Sequence, residues 1–379
     1  MPYPSVDALQ KALAETIFQN RQDVKKAAGR ALGTIVELIT FYILCEWELL
    51  PNLSIERGLA EFANDSITHN VEFGLHRLIA GERFTMAPDL PLSTTKIVKA
   101  LAGVARLKPF QVATGMSNKS MQLLSSEKIV RNACALSSSD ENLIVANLYD
   151  LTDENAVVDI AKLRTQPFCM VECKRVGIEE GMKKGPTTIE KAKQGAYVAK
   201  HVSALQKVRG RDGILYGVMP KKDGSFEINE LAEELRRLIY DAPVGELDGF
   251  ILTVGVVSNH GNWFTAGDPN KEILVLRQSY DWLLFLTDAA IAQFVSDTLL
   301  SKDSRMSPVT EAFKASYASG ESGKNQFTKV KIGLDAHLAL KAYFHKHINC
   351  IEKDWFNVLS PAKGHTDDLK RDLRTLAAK

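Results

Sequence analysis

The chain is short of the features that would place it outside the cell, in a membrane or on a nucleotide. Its five cysteines, Cys45, Cys134, Cys169, Cys173 and Cys350, are an odd number without paired zinc spacing, as expected for reduced thiols. Residues 1–10 lack a basic start followed by an apolar stretch, so no export signal is expected. The most apolar run, residues 31–50, is broken by Glu37, Glu46 and Glu48, which suits a buried helix better than a membrane span. Together these absences predict a cytoplasmic protein without a membrane partner. Gly177, Gly181 and Gly185 with Lys183 and Lys184 do not form the Gly-x-x-x-x-Gly-Lys-Ser/Thr cradle, so no nucleotide cofactor is expected. Internal repeats are missing, and the net charge over 379 residues is only +1.

What the chain does have is core-forming residues and one locally basic region. Hydrophobic residues make up 45% of it, enough for one large core or two smaller ones. Residues 171–222 hold twelve Lys/Arg against five acids, a patch able to offset phosphate charge. A solvated helix face would give the same count.

Within that region, Phe168-Cys169-Met170-Val171-Glu172-Cys173-Lys174 reads as a strand whose alternation puts Glu172 and Lys174 on one side. Cys169 and Cys173 then point to the other face, into the core. Asp159 lies in a second apolar run, Ala156-Val157-Val158-Asp159-Ile160. Arg164-Thr165-Gln166-Pro167 between the runs has the composition of a hairpin turn, which would bring Asp159 beside Glu172. Carboxylates and a lysine converging among buried strands need pairing or a cation. Mg²⁺ suits such a place, because it takes one or two carboxylates plus water and a substrate phosphate. A surface ion pair at a strand end is the plainer alternative. Asp150 and Asp153 are rival acids, with Asp150 the stronger.

On these residues the chain resembles the PD-(D/E)xK nuclease superfamily, which includes most type II restriction endonucleases. The family pattern is an acid at the end of one strand, then Glu/Asp-x-Lys on the next; here it reads Asp159, then Glu172-Cys173-Lys174, with Val158 where the family carries proline. Asp23-Val24-Lys25 and Asp368-Leu369-Lys370 also fit acid-x-Lys, but without an upstream acid on an apolar strand. The resemblance implies an endonuclease holding Mg²⁺ through Asp159 and Glu172, with Lys174 at the attacking water. It also implies a further glutamate reaching the metal from an N-terminal helix, for which Glu37 and Glu72 are the candidates. Thr187-Thr188-Ile189-Glu190 reads as a capping box that opens a helix to about residue 208. Glu190, Gln194, Tyr197 and His201 share one stripe of that helix. Gln194 and Tyr197 resemble the pair that the family turns toward the scissile phosphate.

The rest of the chain predicts an α/β fold. A mixed central sheet flanked by helices, a restriction-endonuclease-like core, is expected over residues 136–300. Residues 1–135 read as a helical region, and 301–379 as a linker followed by helices. Residues 58–81 carry apolar residues at helical steps, and residues 280–300 look like one long apolar helix. Residues 93–104 form a helix capped by Ser93 or Thr94, 142–151 form a strand, and 249–257 form a central strand. His260, alone in a loop, is a possible general base or an ordinary polar contact. Lys183, Lys184, Lys191 and Tyr197 are expected to contact double-stranded DNA, and a homodimer would match a palindromic site. Other readings are a repair, junction-resolving or defence nuclease of the same fold, or a DNA-binding protein whose core does no chemistry.

Overall fold

The computed structural model describes residues 6–18, 24–112, 118, 121–175, 186–258, 271–317 and 330–379. Two helices, α1 (Val6–Thr16) and α2 (Val24–Glu46), precede a hairpin of two long strands, β1 (Leu53–Glu61) and β2 (Asn64–Met86). A smaller group follows: β3 (Leu92–Ser93), α3 (Thr94–Ala102), β4 (Gln122–Leu124), β5 (Cys134–Ser138) and β6 (Asn142–Leu151). The longest central strand, β7 (Ala156–Arg175), leads to α4 (Pro186–His201). A three-stranded sheet, β8 (Gln206–Arg209), β9 (Leu215–Pro220) and β10 (Phe226–Glu230), then precedes α5 (Leu231–Arg236). The chain closes with β11 (Leu252–Ser258), α6 (Lys271–Ser279), β12 (Trp282–Leu286), α7 (Asp288–Asp297), α8 (Ser307–Tyr317), α9 (Leu334–Asp354), β13 (Phe356–Ser360) and α10 (Thr366–Ala378).

The central sheet has eight strands in the path β1-β2-β7-β11-β12-β13, with β6 on β7 and β5 beyond it. β7, β11 and β12 run parallel and the other pairs antiparallel, so the sheet is mixed. The fold is therefore α/β with a mixed sheet flanked by helices. One face of the sheet packs on α2, α7, α8, α9 and α10 through the largest apolar cluster, which includes Phe73, Cys169, Val171, Cys173 and Val254. Both cysteines thus face the core, as strand alternation predicts. The other face packs on α4 and α6 through Val71, Met170, Ala196, Ala199, Leu276 and Tyr280. A separate cluster gathers α3 and β4–β6 around the far ends of β2 and β7. Residues Ala27–Glu46 have the length and hydropathy of a membrane span, yet 78% of that window is buried in this packing.

Several expectations are corrected here. Residues 1–135 are not a helical region: 53–86 are almost wholly strand, and residues 71–76 of β2 are buried without a break, as a central strand covered on both faces is. Residues 280–300 split into the buried strand β12 and the shorter helix α7. In 301–379, β13 completes the sheet, and α8, α9 and α10 pack into the main core. Ser93 caps α3 by accepting the Lys96 N–H, as predicted.

The expected hairpin at 164–167 does not exist, since β7 runs through it unbroken. β6 pairs with β7 up to Arg164, and β11 takes over at Cys169. Pro167, which has no N–H to donate, sits where that edge changes partner, opposite an irregular stretch of β2 around His76. The polar, proline-bearing segment marks an exchange of neighbours along one strand.

Candidate active site

Continuity of β7 separates the acids that the sequence reading had joined. Asp159 and Glu172 are thirteen residues apart on one strand, roughly 40 Å at the usual rise. Asp159 instead faces Arg83 across the β2–β7 ladder: Arg83 Nε donates to Oδ1 at 2.6 Å and Nη2 to Oδ2 at 2.9 Å. The same guanidinium lies 3.3 Å from the centre of the Tyr149 ring. An exposed ion pair with Arg83 accounts for the Asp159 charge, and its separation from Glu172 takes Asp159 out of the expected catalytic and metal-binding group. Asp150 lies on β6 opposite Val157, at the same far end.

Glu172 has other company. The β2–β7 ladder ends at the pair Phe73 and Val171, so one further step sets Glu72 opposite Glu172. There the strands part, and Glu172 Oε2 accepts the Glu72 N–H at 3.2 Å. Its other oxygen, Oε1, accepts from Lys174 Nζ at 2.5 Å. At this level Glu56 on β1, between the pairs Ile55–Phe73 and Arg57–Val71, takes φ of 48° and is itself left out of the ladder. Both carboxylates are buried, Glu72 at 8% exposure and Glu172 at 6%, while the Lys174 side chain is 35% exposed. The lysine is the open side of the site.

Glu37 belongs to the same neighbourhood. It is buried on α2, three residues before Thr40, whose side chain lies beside the Cys173 thiol. Burial pushes that thiol well above its ordinary value, and the charges of Glu72, Glu37 and Glu172 act in the same direction. Carboxylates from three elements thus act on Cys173 of β7. Among the described residues, however, no group of three or more His, Cys, Asp or Glu side chains is arranged as a metal cluster.

α4 covers Glu172 from the second face. Gln194 is exposed, and its neighbour Gly195 is buried so closely that a Cβ there would lie 3.1 Å from Glu172 Cγ. Tyr197 does not turn to this point. Its hydroxyl donates to Glu61 Oε2 at 3.0 Å, and its ring lies 4.4 Å from that of His201. Glu61 also pairs with His69 at 2.8 Å, so Tyr197 ties the β1–β2 hairpin to α4. Lys183, Lys184 and His260, and the side chains of Thr187, Glu190 and Lys191, lie outside the described residues.

Glu72, expected on a helix, lies on β2, while Tyr280, Gly195 and Gly255 around Glu172 carry no mark in the sequence. A signal for Glu72 was present: Val71-Glu72-Phe73 sets an acid between apolar residues just as Val158-Asp159-Ile160 does. No family model, no curated protein and no solved structure matches this chain.

Proposed function

We propose that this protein is a Mg²⁺-dependent endonuclease hydrolysing phosphodiester bonds of double-stranded DNA, with a restriction-endonuclease-like core and a site-specific, type II mode of action. The observation that carries the reading is the Glu72–Glu172–Lys174 arrangement. Glu72, a buried acid on one strand, adjoins Glu-x-Lys on the next through its backbone N–H, and we take it for the place first given to Asp159.

The donor set suits the ion. Glu72 and Glu172 would supply hard carboxylate oxygens, and Mg²⁺ needs only one or two of these alongside water and a substrate phosphate. Glu37 would assist from α2. When bound, the ion supplies Lewis-acid stabilisation of the negative charge that builds on the phosphoryl oxygens. Lys174 Nζ, half in solvent, moves from the Glu172 oxygen to the attacking water, orienting it and easing loss of its proton. Gln194 meets the phosphate from the exposed side of α4. Lys183, Lys184 and Lys191 follow β7 in sequence and supply positive charge to the DNA backbone. Two copies of the chain acting together match a palindromic site.

One observation favours a second reading. Lys174 already neutralises Glu172 at 2.5 Å, as a purely structural pair in a non-catalytic DNA-binding protein would. Incubation of plasmid and phage DNA with the protein and Mg²⁺ separates the readings. Discrete fragments with defined ends are expected for the site-specific enzyme, and structure-dependent cuts alone would place it among repair or junction-resolving nucleases. No cleavage, together with no divalent-cation binding, would leave the non-catalytic reading.

A further inference from the structure

Glu172 is walled in by residues far from it in sequence. Its register partner on β11 is Gly255, which leaves the adjoining position without a side chain. The ring of Tyr280 occupies that space: a Cβ on Gly255 would lie 2.9 Å from Tyr280 Cδ2 and 3.0 Å from Cε2. The helix side closes in the same way, because a Cβ on Gly195 would lie 2.5 Å from the Tyr280 hydroxyl oxygen as well as 3.1 Å from Glu172 Cγ. Tyr280 is 2% exposed, and burial, followed by the nearby Glu172 charge, raises its hydroxyl pKa.

The ring is held from behind. Tyr280 N–H donates to the Leu276 carbonyl at 3.1 Å, and the next residue's amide, that of Asp281, donates to the Thr253 carbonyl at 3.0 Å. The Asp281 carboxylate takes Lys207 Nζ at 2.8 Å and the Thr253 N–H and hydroxyl at 2.8 Å each. Lys207 Nζ also donates to the Ser279 carbonyl at 2.6 Å. A buried ion pair whose partners are hydrogen-bonded on several sides is costly to break, so the backbone carrying Tyr280 is fixed.

We propose that Tyr280 is a positioning residue for Glu172: its ring, seated where Gly195 and Gly255 leave room, confines the glutamate stem to the rotamer that presents the carboxylate to Lys174 and to the Glu72 amide. A glutamate has several rotatable bonds, and each one fixed before a ligand arrives is an entropy cost removed from binding. The ring acts by bulk, so the hydroxyl is dispensable. The inference rests on the reading of Glu172 as a cation ligand.

The test is Mn²⁺ binding to the full chain by calorimetric titration, which requires no cleavage. Tyr280→Leu is expected to weaken Mn²⁺ binding by roughly tenfold or more, the size usual for residues that support metal ligands. Tyr280→Phe should bind as the wild type does. Gly195→Ala should weaken binding by driving a methyl into the hydroxyl and the Glu172 stem. The double variant Gly195→Ala with Tyr280→Phe should recover part of it, and this pair decides the matter if Tyr280→Leu does not fold. Wild-type Mn²⁺ affinity in Tyr280→Leu and Gly195→Ala, with loss in Glu172→Gln, would overturn the positioning role alone. Wild-type affinity in Glu172→Gln would remove the cation-site reading and this inference with it.

Discussion

The carboxylate of Glu172 accepts the backbone N–H of Glu72 at 3.2 Å, across the point where β2 leaves β7. A strand that loses its partner has amide groups to satisfy, and here a side chain of the neighbouring strand does so. The contact places two buried acids at the fork of the sheet, beside the partly exposed Lys174.

Glu172→Ala and Lys174→Ala should each abolish Mg²⁺-dependent plasmid cleavage while DNA binding in a mobility-shift assay persists, and Glu72→Gln should lower cleavage at least tenfold or so. Wild-type cleavage by Glu172→Ala or Lys174→Ala would end the proposed mechanism.

Asp159→Asn is predicted to cleave as the wild type does. The substitution weakens only an exposed pair with Arg83, at a stability cost under about 1 kcal/mol in a urea melt. A cleavage-dead Asp159→Asn variant would restore that residue to the site.

Tyr197→Phe should likewise keep cleavage, since the Tyr197 hydroxyl serves Glu61. Its effect should appear as faster amide exchange in the β1–β2 hairpin, and unchanged exchange there would show that the tie is unimportant.

Folding stability should fall on acidification from about pH 6.5 to about pH 4. Burial lowers the His76 and His337 pKa values to about 4. His76 donates through Nδ1 to the Arg164 carbonyl, and in the neutral ring Nε2 accepts the Ser54 hydroxyl. With the folded pKa depressed, the unfolded chain takes up the proton first. Stability is therefore full above about 6.5 and declines below it, by up to about 3 kcal/mol for each histidine at pH 4. Urea melts at pH 7 and pH 4.5 check the direction, and equal midpoints would contradict it.

Nucleic-acid affinity should decline with salt, and Lys183→Ala with Lys184→Ala should reduce the log–log slope by roughly 0.9 for each lost phosphate contact. An unchanged slope would take both lysines out of the interface.

The sequence by itself determined what a short stretch can determine. Alternation along 168–174 set Glu172 and Lys174 on one face and the two cysteines on the other, and a side chain's direction on a strand depends on nothing farther away. The strand at 142–151, the cap at Ser93 and the α/β character with a mixed sheet were legible for the same reason. Tertiary structure decided which acid stands beside Glu172. Whether Arg164-Thr165-Gln166-Pro167 turns back or runs straight depends on β6 ending and β11 beginning against it, and neither neighbour is written into those four residues. The two glycines that admit Tyr280 were equally silent, because an absent side chain has meaning only once the fold shows what fills its place.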